Sequence, residues 1–245
     1  MQPRNDSLGK VRFIILALAV AAFAMLLASG PGTRHGLWQW EDGLALVKAG
    51  FFVGAAAAVG ALALLLLCAF PRFRSRAWVP VVALCLALAA VAPPLILLAQ
   101  AKSVPPIHDI STDTTDPPAF VGLLEERRKA PNGFAYGGEA VAAQQRRAYA
   151  DIKPAIVKST PRDTTQRAID AARAMGWEVV VADAATGRIE ATDTSTWFGF
   201  KDDIVIRVRA EGEGSRVDVR SVSRVGVSDL GANAKRIQGF LAKLA

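Results

Sequence analysis

Apolar and polar positions divide this chain in two. Up to about Gln100 the apolar residues come in unbroken runs. Beyond it they alternate with polar ones or recur every third and fourth residue. Phe13–Ser29 is 17 residues without a charge, Ala49–Phe70 is 22 and Ala77–Ala99 is 23. A helix needs about 20 apolar residues to cross a bilayer, with roughly 17 as the floor. The runs therefore predict three spans, over about 13–29, 49–70 and 77–99, the first at the lower limit. Core helices of soluble proteins rarely run so long without a polar face. Pro93 and Pro94 predict an end or a kink of the third helix. Gly50, Gly54 and Ala58 are small residues four apart, a spacing that lets helices approach closely, within the chain or across a homodimer.

The second half reads differently. Residues 104–118 look like a linker, with two Pro-Pro pairs and a run of Ser, Thr and Asp. Phe120–Lys129 predicts a short helix with Phe120, Leu123 and Leu124 inward. Glu139–Tyr149 predicts another, after a loop with three glycines. Ala155–Lys158 reads as a short strand. Asp163 is the expected cap of the next helix, with Gln166 three residues on. Ala168, Ile169, Ala172 and Met175 share its apolar side, and Gly176 is its stop. Trp177–Asp183, Arg188–Thr194, Asp203–Ala210 and Ser215–Val225 read as four strands.

The last hairpin predicts its own register. With Ala210 opposite Ser215, Val208 meets Val217, Ile206 meets Val219 and Ile204 meets Ser221. On the other face Arg207 meets Asp218, Val205 meets Arg220, and Arg209 meets Arg216, a like-charge pair expected to splay into water. A final helix is expected from about Asp229 to Lys243, with Leu230, Ile237, Leu241 and Leu244 as its core stripe. The fold class is thus a three-helix membrane anchor over residues 1–103, then the linker, then an α+β domain over 119–245. That domain has a strand, a helix, four mostly antiparallel strands and a C-terminal helix.

Charge sharpens the picture. Residues 1–103 hold nine Lys and Arg against three acids, so most of the net charge of +7 lies there. The remainder is nearly balanced, which argues against a nucleic-acid-binding domain despite the basic isoelectric point. The loop Pro71–Arg76 carries Arg72, Arg74 and Arg76, and the amino-terminal flank carries Arg4, Lys10 and Arg12. Both are expected on the cytoplasmic side, which puts the carboxyl-terminal domain outside the cytoplasm, periplasmic in a Gram-negative cell. Trp38, Trp40 and Trp78 stand near span ends, where indole rings favour the interface. The first run also has the layout of a signal peptide, with small residues at Ala28, Ser29 and Gly30; its cleavage would leave the threading unchanged.

Candidate chemistry is sparse. The spans hold no ionisable residue, so a transporter or pump is not expected. Two His and two Cys leave no zinc site or disulfide framework. His35 and His108 both precede the folded domain, which removes a Ser-His-Asp triad from it. No metal or cofactor is expected. Asp202 and Asp203 are adjacent carboxylates that could share a proton or hold a cation, yet neighbours on a strand point to opposite faces. Arg207, Arg220, Arg224, Asp229, Asn233 and Arg236 form the richest polar set. It reads either as an anion site or as a structural network tying the last helix to the sheet, with Asp229 partnered by Arg220 or Arg224. On that reading Asp229→Ala costs more stability than Asp218→Ala, since Asp218 is expected on a solvated hairpin.

Three segments carry a family resemblance: Thr194–Arg209 (TSTWFGFKDDIVIRVR), Val217–Ile237 (VDVRSVSRVGVSDLGANAKRI) and Asp109–Phe120 (DISTDTTDPPAF). They resemble the domain-of-unknown-function 1499 family, from about Pro105 to the end. The resemblance implies a bacterial envelope protein, with relatives in plant plastids, and implies no reaction. The expected function is a multi-pass protein of the cytoplasmic membrane. It presents its outer domain to an envelope partner or to an anionic or lipidic ligand. The alternative is a membrane-tethered hydrolase using Asp202 or Asp203.

Overall fold

A computed structural model describes residues 7–74 and 76–244; Arg4, part of the basic flank, lies outside them. Three long helices come first: α1 (Ser7–Arg34), α2 (Trp40–Leu67) and α3 (Trp78–Ser103). All three are long and apolar enough to cross a membrane. The first is not marginal, because the helix extends past the uncharged run at both ends. Pro93 and Pro94 do not end α3, which continues to Ser103. In hydrocarbon the remaining backbone groups have no water to turn to, so a helix keeps its other hydrogen bonds across a proline.

Alanine packs the bundle. Ala19 of α1, Ala57 and Ala61 of α2, and Ala83 and Ala87 of α3 are buried against one another. The small residues of α2 are taken up within the chain. A Cβ on Gly50 would lie 3.0 Å from the Ala22 carbonyl of α1, and one on Gly54 would lie 3.1 Å from Val91 of α3. Ala58 packs against the same alanine core. At one end Arg12 donates to the Phe73 carbonyl at 2.6 Å, joining α1 to the α2–α3 loop.

The chain forms two compact units, one of residues up to Ala99 with Thr196–Gly199, the other of Gln100–Ser195 and the residues from Phe200 on. The second unit is built on one antiparallel sheet. Its strands are β1 (Asp109–Ser111), β2 (Ala155–Val157), β3 (Glu178–Asp183), β4 (Arg188–Thr194), β5 (Lys201–Glu211) and β6 (Gly214–Ser223). The order is β1-β6-β5-β4-β3, with β2 also on β6. The helices are α4 (Leu124–Lys129), α5 (Gly138–Ala148), α6 (Pro161–Ala174) and α7 (Ala232–Leu244).

The β5–β6 register is the expected one, including Arg207 opposite Asp218 and Val205 opposite Arg220. It places Ile204, Ile206, Val208, Val217 and Val219 in the core, under α6 and α7. Trp177 stacks on Phe240 at 5.4 Å between ring centres. Ile237 and Leu244 are buried and Leu241 partly so, but Leu230 precedes the helix at φ 54° and Phe240 takes its place.

Two local expectations change. The cap of α6 is Thr160, not Asp163: Thr160 Oγ1 accepts from the Asp163 N–H at 3.2 Å and Pro161 opens the helix. The stretch 104–118 is not all linker. Asp109–Ser111 pairs with Ser221 and its neighbours on β6, and Ile107, Asp109, Ile110 and Ser111 are buried. The outer edge of β1 is closed by Gln145 of α5. Its amide accepts from Ser111 N at 3.0 Å and donates to Ser111 O at 2.6 Å, as a neighbouring strand would.

Candidate functional site

The face of the sheet away from α6 and α7 is polar and nonetheless buried. Alternation along β4, β5 and β6 puts Glu190, Thr192, Asp203, Arg207, Asp218, Arg220 and Arg224 on it, and β1 adds Asp109. Residues 113–134 lie over these side chains, with Phe120 and Leu123 packed on Val205 and Val222. A charge can be buried this way only if partners replace its hydration, and here they do.

Asp218 is fully buried and gathers three arginines. It accepts from Arg207 at 3.0 Å, Arg209 at 2.8 Å and Arg216 at 2.8 Å. Arg209 and Arg216 therefore do not splay apart; a shared carboxylate outweighs their repulsion. Asp113 and Asp116 reach the same arginines from above. Burial works to raise the Asp113 pKa. The N–H groups of Asp116 and Thr115 and the charges of Arg216 and Arg207 outweigh it and hold the carboxyl below its usual value.

Arg220 makes a two-pronged pair with Asp109, at 3.0 and 2.7 Å, and also donates to the Phe134 carbonyl at 3.0 Å. Its guanidinium lies over the rings of Phe120 and Tyr136, 5.4 Å from each centre. Burial, with Asp109 nearby, pushes the Tyr136 hydroxyl up to about 12. Asp203 is fully buried too. It accepts from Arg224 at 2.9 and 2.8 Å, from Thr192 at 2.8 Å and from Arg127 at 3.4 Å. Arg127 of α4 is wholly enclosed and also donates to the Val222 and Gly133 carbonyls. Glu190 accepts from the Val121 and Leu123 N–H groups at 2.8 Å each, holding the start of α4.

The other three residues of the predicted set lie on the helix-covered face. Arg236 of α7 donates to Asp193 at 2.9 Å and to Asp202 at 2.7 Å, two carboxylates directly opposite each other on β4 and β5. Asn233 bonds Ser221 and Ser223, fastening α7 to β6. Asp229 does not meet Arg220 or Arg224, which are on the far side of the sheet. It accepts from the N–H groups of Gly231 at 2.8 Å and Asn233 at 3.0 Å, at the entry to α7. Burial raises its pKa, opposed in part by those N–H groups.

The six residues therefore make two networks rather than one site, and Asp202 and Asp203 fall on opposite faces as strand geometry requires. Asp109, Arg127, Glu190 and Asp193 complete the networks and are absent from the predicted set. A signal for some of them exists: in Arg188–Thr194, Glu190 and Thr192 share the parity of Arg188, opposite Ile189 and Ala191, which marks a polar face. Among the described residues no group of three or more His, Cys, Asp or Glu is placed to hold a metal ion.

Fold and site define a class: a protein with three membrane-length helices and an α+β domain whose sheet is covered on both faces, one by helices and one by an ion-paired loop layer. The model of the family described as protein of unknown function (DUF1499) matches residues 109–244, and the chain belongs to that family. No curated protein matches the chain.

Proposed function

We propose that this protein is a membrane-anchored binding module that presents its outer surface to a partner in the cell envelope. The observation that carries this is internal pairing. Both carboxylate oxygens of Asp203, Asp218, Asp109 and Glu190 accept from arginines or backbone N–H groups of the same domain. Such a network rigidifies a layer and leaves the outside of the domain as the part available to a partner. An anionic ligand at Arg207, Arg220 or Arg224 would have to displace Asp218, Asp109 or Asp203. A hydrolase using Asp202 or Asp203 finds less support, because each is held by an arginine and they face opposite ways. The test is replacement of Asp202 by Asn in the full chain. A binding module retains whatever function deletion of the gene removes; loss of that function at normal abundance and stability favours the hydrolase.

The orientation belongs to the same proposal. The Arg72, Arg74 and Arg76 loop and the basic start of α1 support a cytoplasmic amino terminus, and the odd number of spans then carries the domain across the membrane. Alkaline phosphatase fused after Ala245 should be active. Activity of a cytoplasm-only reporter there, and none of the phosphatase, overturns this threading.

A further inference from the structure

At the end of the bundle formed by the start of α1 and the α2–α3 loop, a groove of about 590 Å3 is lined by Gly9, Lys10, Phe13, Ile14 and Arg76. It is shallow and open, and its lining sets two cations, Lys10 and Arg76, beside the apolar side chains of Phe13 and Ile14. Phe13 and Ile14 are 46% and 59% exposed, and the apolar surface continues one turn on through Leu18. Arg76 sits at φ 57°, a backbone region unfavourable for any residue with a Cβ. Its guanidinium lies 5.9 Å from the centre of the Phe13 ring. The same end carries Arg72 stacked 4.6 Å over Phe73, and the exposed indole of Trp78. This pairing of cations with rings suits the level of lipid headgroups.

We propose that this groove binds an anionic phospholipid, its phosphate between Lys10 and Arg76 and an acyl chain along Phe13, Ile14 and Leu18. Charge decides the headgroup. The amino-terminal flank and the loop hold Arg4, Lys10, Arg12, Arg72, Arg74 and Arg76 against the single acid Asp6. A zwitterionic lipid brings its own cation to these basic residues and is disfavoured. The apolar lining decides lipid over soluble anion, since free phosphate leaves Phe13 and Ile14 uncovered. The proposal rests on the three helices spanning a bilayer, and it is independent of the role of the outer domain.

The test uses the full chain purified in a non-ionic detergent. Native mass spectrometry compares retained phosphatidylglycerol with phosphatidylcholine of the same acyl chains. Two cations at a headgroup predict a preference of roughly 25- to 30-fold. Lys10→Gln alone, at an exposed position, should cut that preference about fivefold, and Lys10→Gln with Arg76→Gln should abolish it. Lys243→Gln, in the outer domain, should leave it intact. Equal retention of the two lipids by the unaltered chain overturns the proposal, whatever the variants do. So does an undiminished preference in Lys10→Gln, or equal thermal stabilisation by inorganic phosphate.

Discussion

Asp218→Ala is the change that most directly tests the buried polar face. Asp218 is fully buried, and its two oxygens hold three guanidiniums at 2.8 to 3.0 Å. Its removal leaves three like charges side by side, answered by Asp113, Asp116 and, at Arg216, Glu211 at 3.9 Å. Deleting one partner of a deeply buried ion pair costs about 3–5 kcal/mol. Arg207, Arg209 and Arg216 are 19, 43 and 27% exposed, so the stranded cations can reach water. That places the expected loss near the lower end, about 3 kcal/mol. For a domain of this size that loss corresponds to a fall in Tm of roughly 10 °C. Arg209→Ala removes one well-solvated arm and should cost about 1 kcal/mol or less. Urea unfolding of residues 104–245, followed by circular dichroism, measures both. The ordering by sequence pattern is reversed here, because Asp229 caps a helix and Asp218 anchors the layer. An Asp218→Ala loss under 1 kcal/mol, or one no larger than that of Arg209→Ala, would refute the reasoning and make the cluster an ordinary surface network.

Three further outcomes follow from the same geometry. Asp229→Asn keeps an acceptor at the entry to α7 and removes a buried charge. The raised carboxyl of Asp229 contributes stability that is full below its unfolded value of about 3.8 and lost as pH rises through its folded value. The variant should thus be as stable as the parent or more so at pH 7, by up to about 1 kcal/mol, with the parent gaining on it as pH falls toward 4; melts across that range decide. The chain has two tyrosines, and burial raises both, Tyr136 to about 12. Spectrophotometric titration should show neither ionising with an ordinary midpoint near 10 until the fold is lost, and a normal midpoint for both in the native state contradicts the enclosure of Tyr136. Ile237→Ala, at a site with no exposed surface between α7 and the sheet, should cost about 2–5 kcal/mol; a loss below 1 kcal/mol in the same urea assay removes α7 from the core.

Local pattern alone determined the parts of this protein whose information is local. Three uncharged runs are enough to specify three membrane-length helices, because in a bilayer the length of an apolar run and its backbone bonding decide the outcome together. The β5–β6 register was legible for a related reason: in a hairpin the turn and the two-residue period fix which side chains meet, and Val208, Ile206 and Ile204 sort to one face. The cap of α6 was misplaced by three residues because Thr160 and Asp163 are both cap-forming types, and Pro161 between them was the discriminating signal. What only the tertiary structure decided is the polar layer. Asp109 and Arg220 are 111 positions apart, and nothing in the Pro-rich, Asp-rich stretch before α4 distinguishes a solvated linker from a segment laid across a sheet. Asp109 is buried because Arg220 of β6 replaces the water it loses, and Asp218 is buried because that segment covers it. Each half makes burial of the other possible, so neither half alone carries the signal.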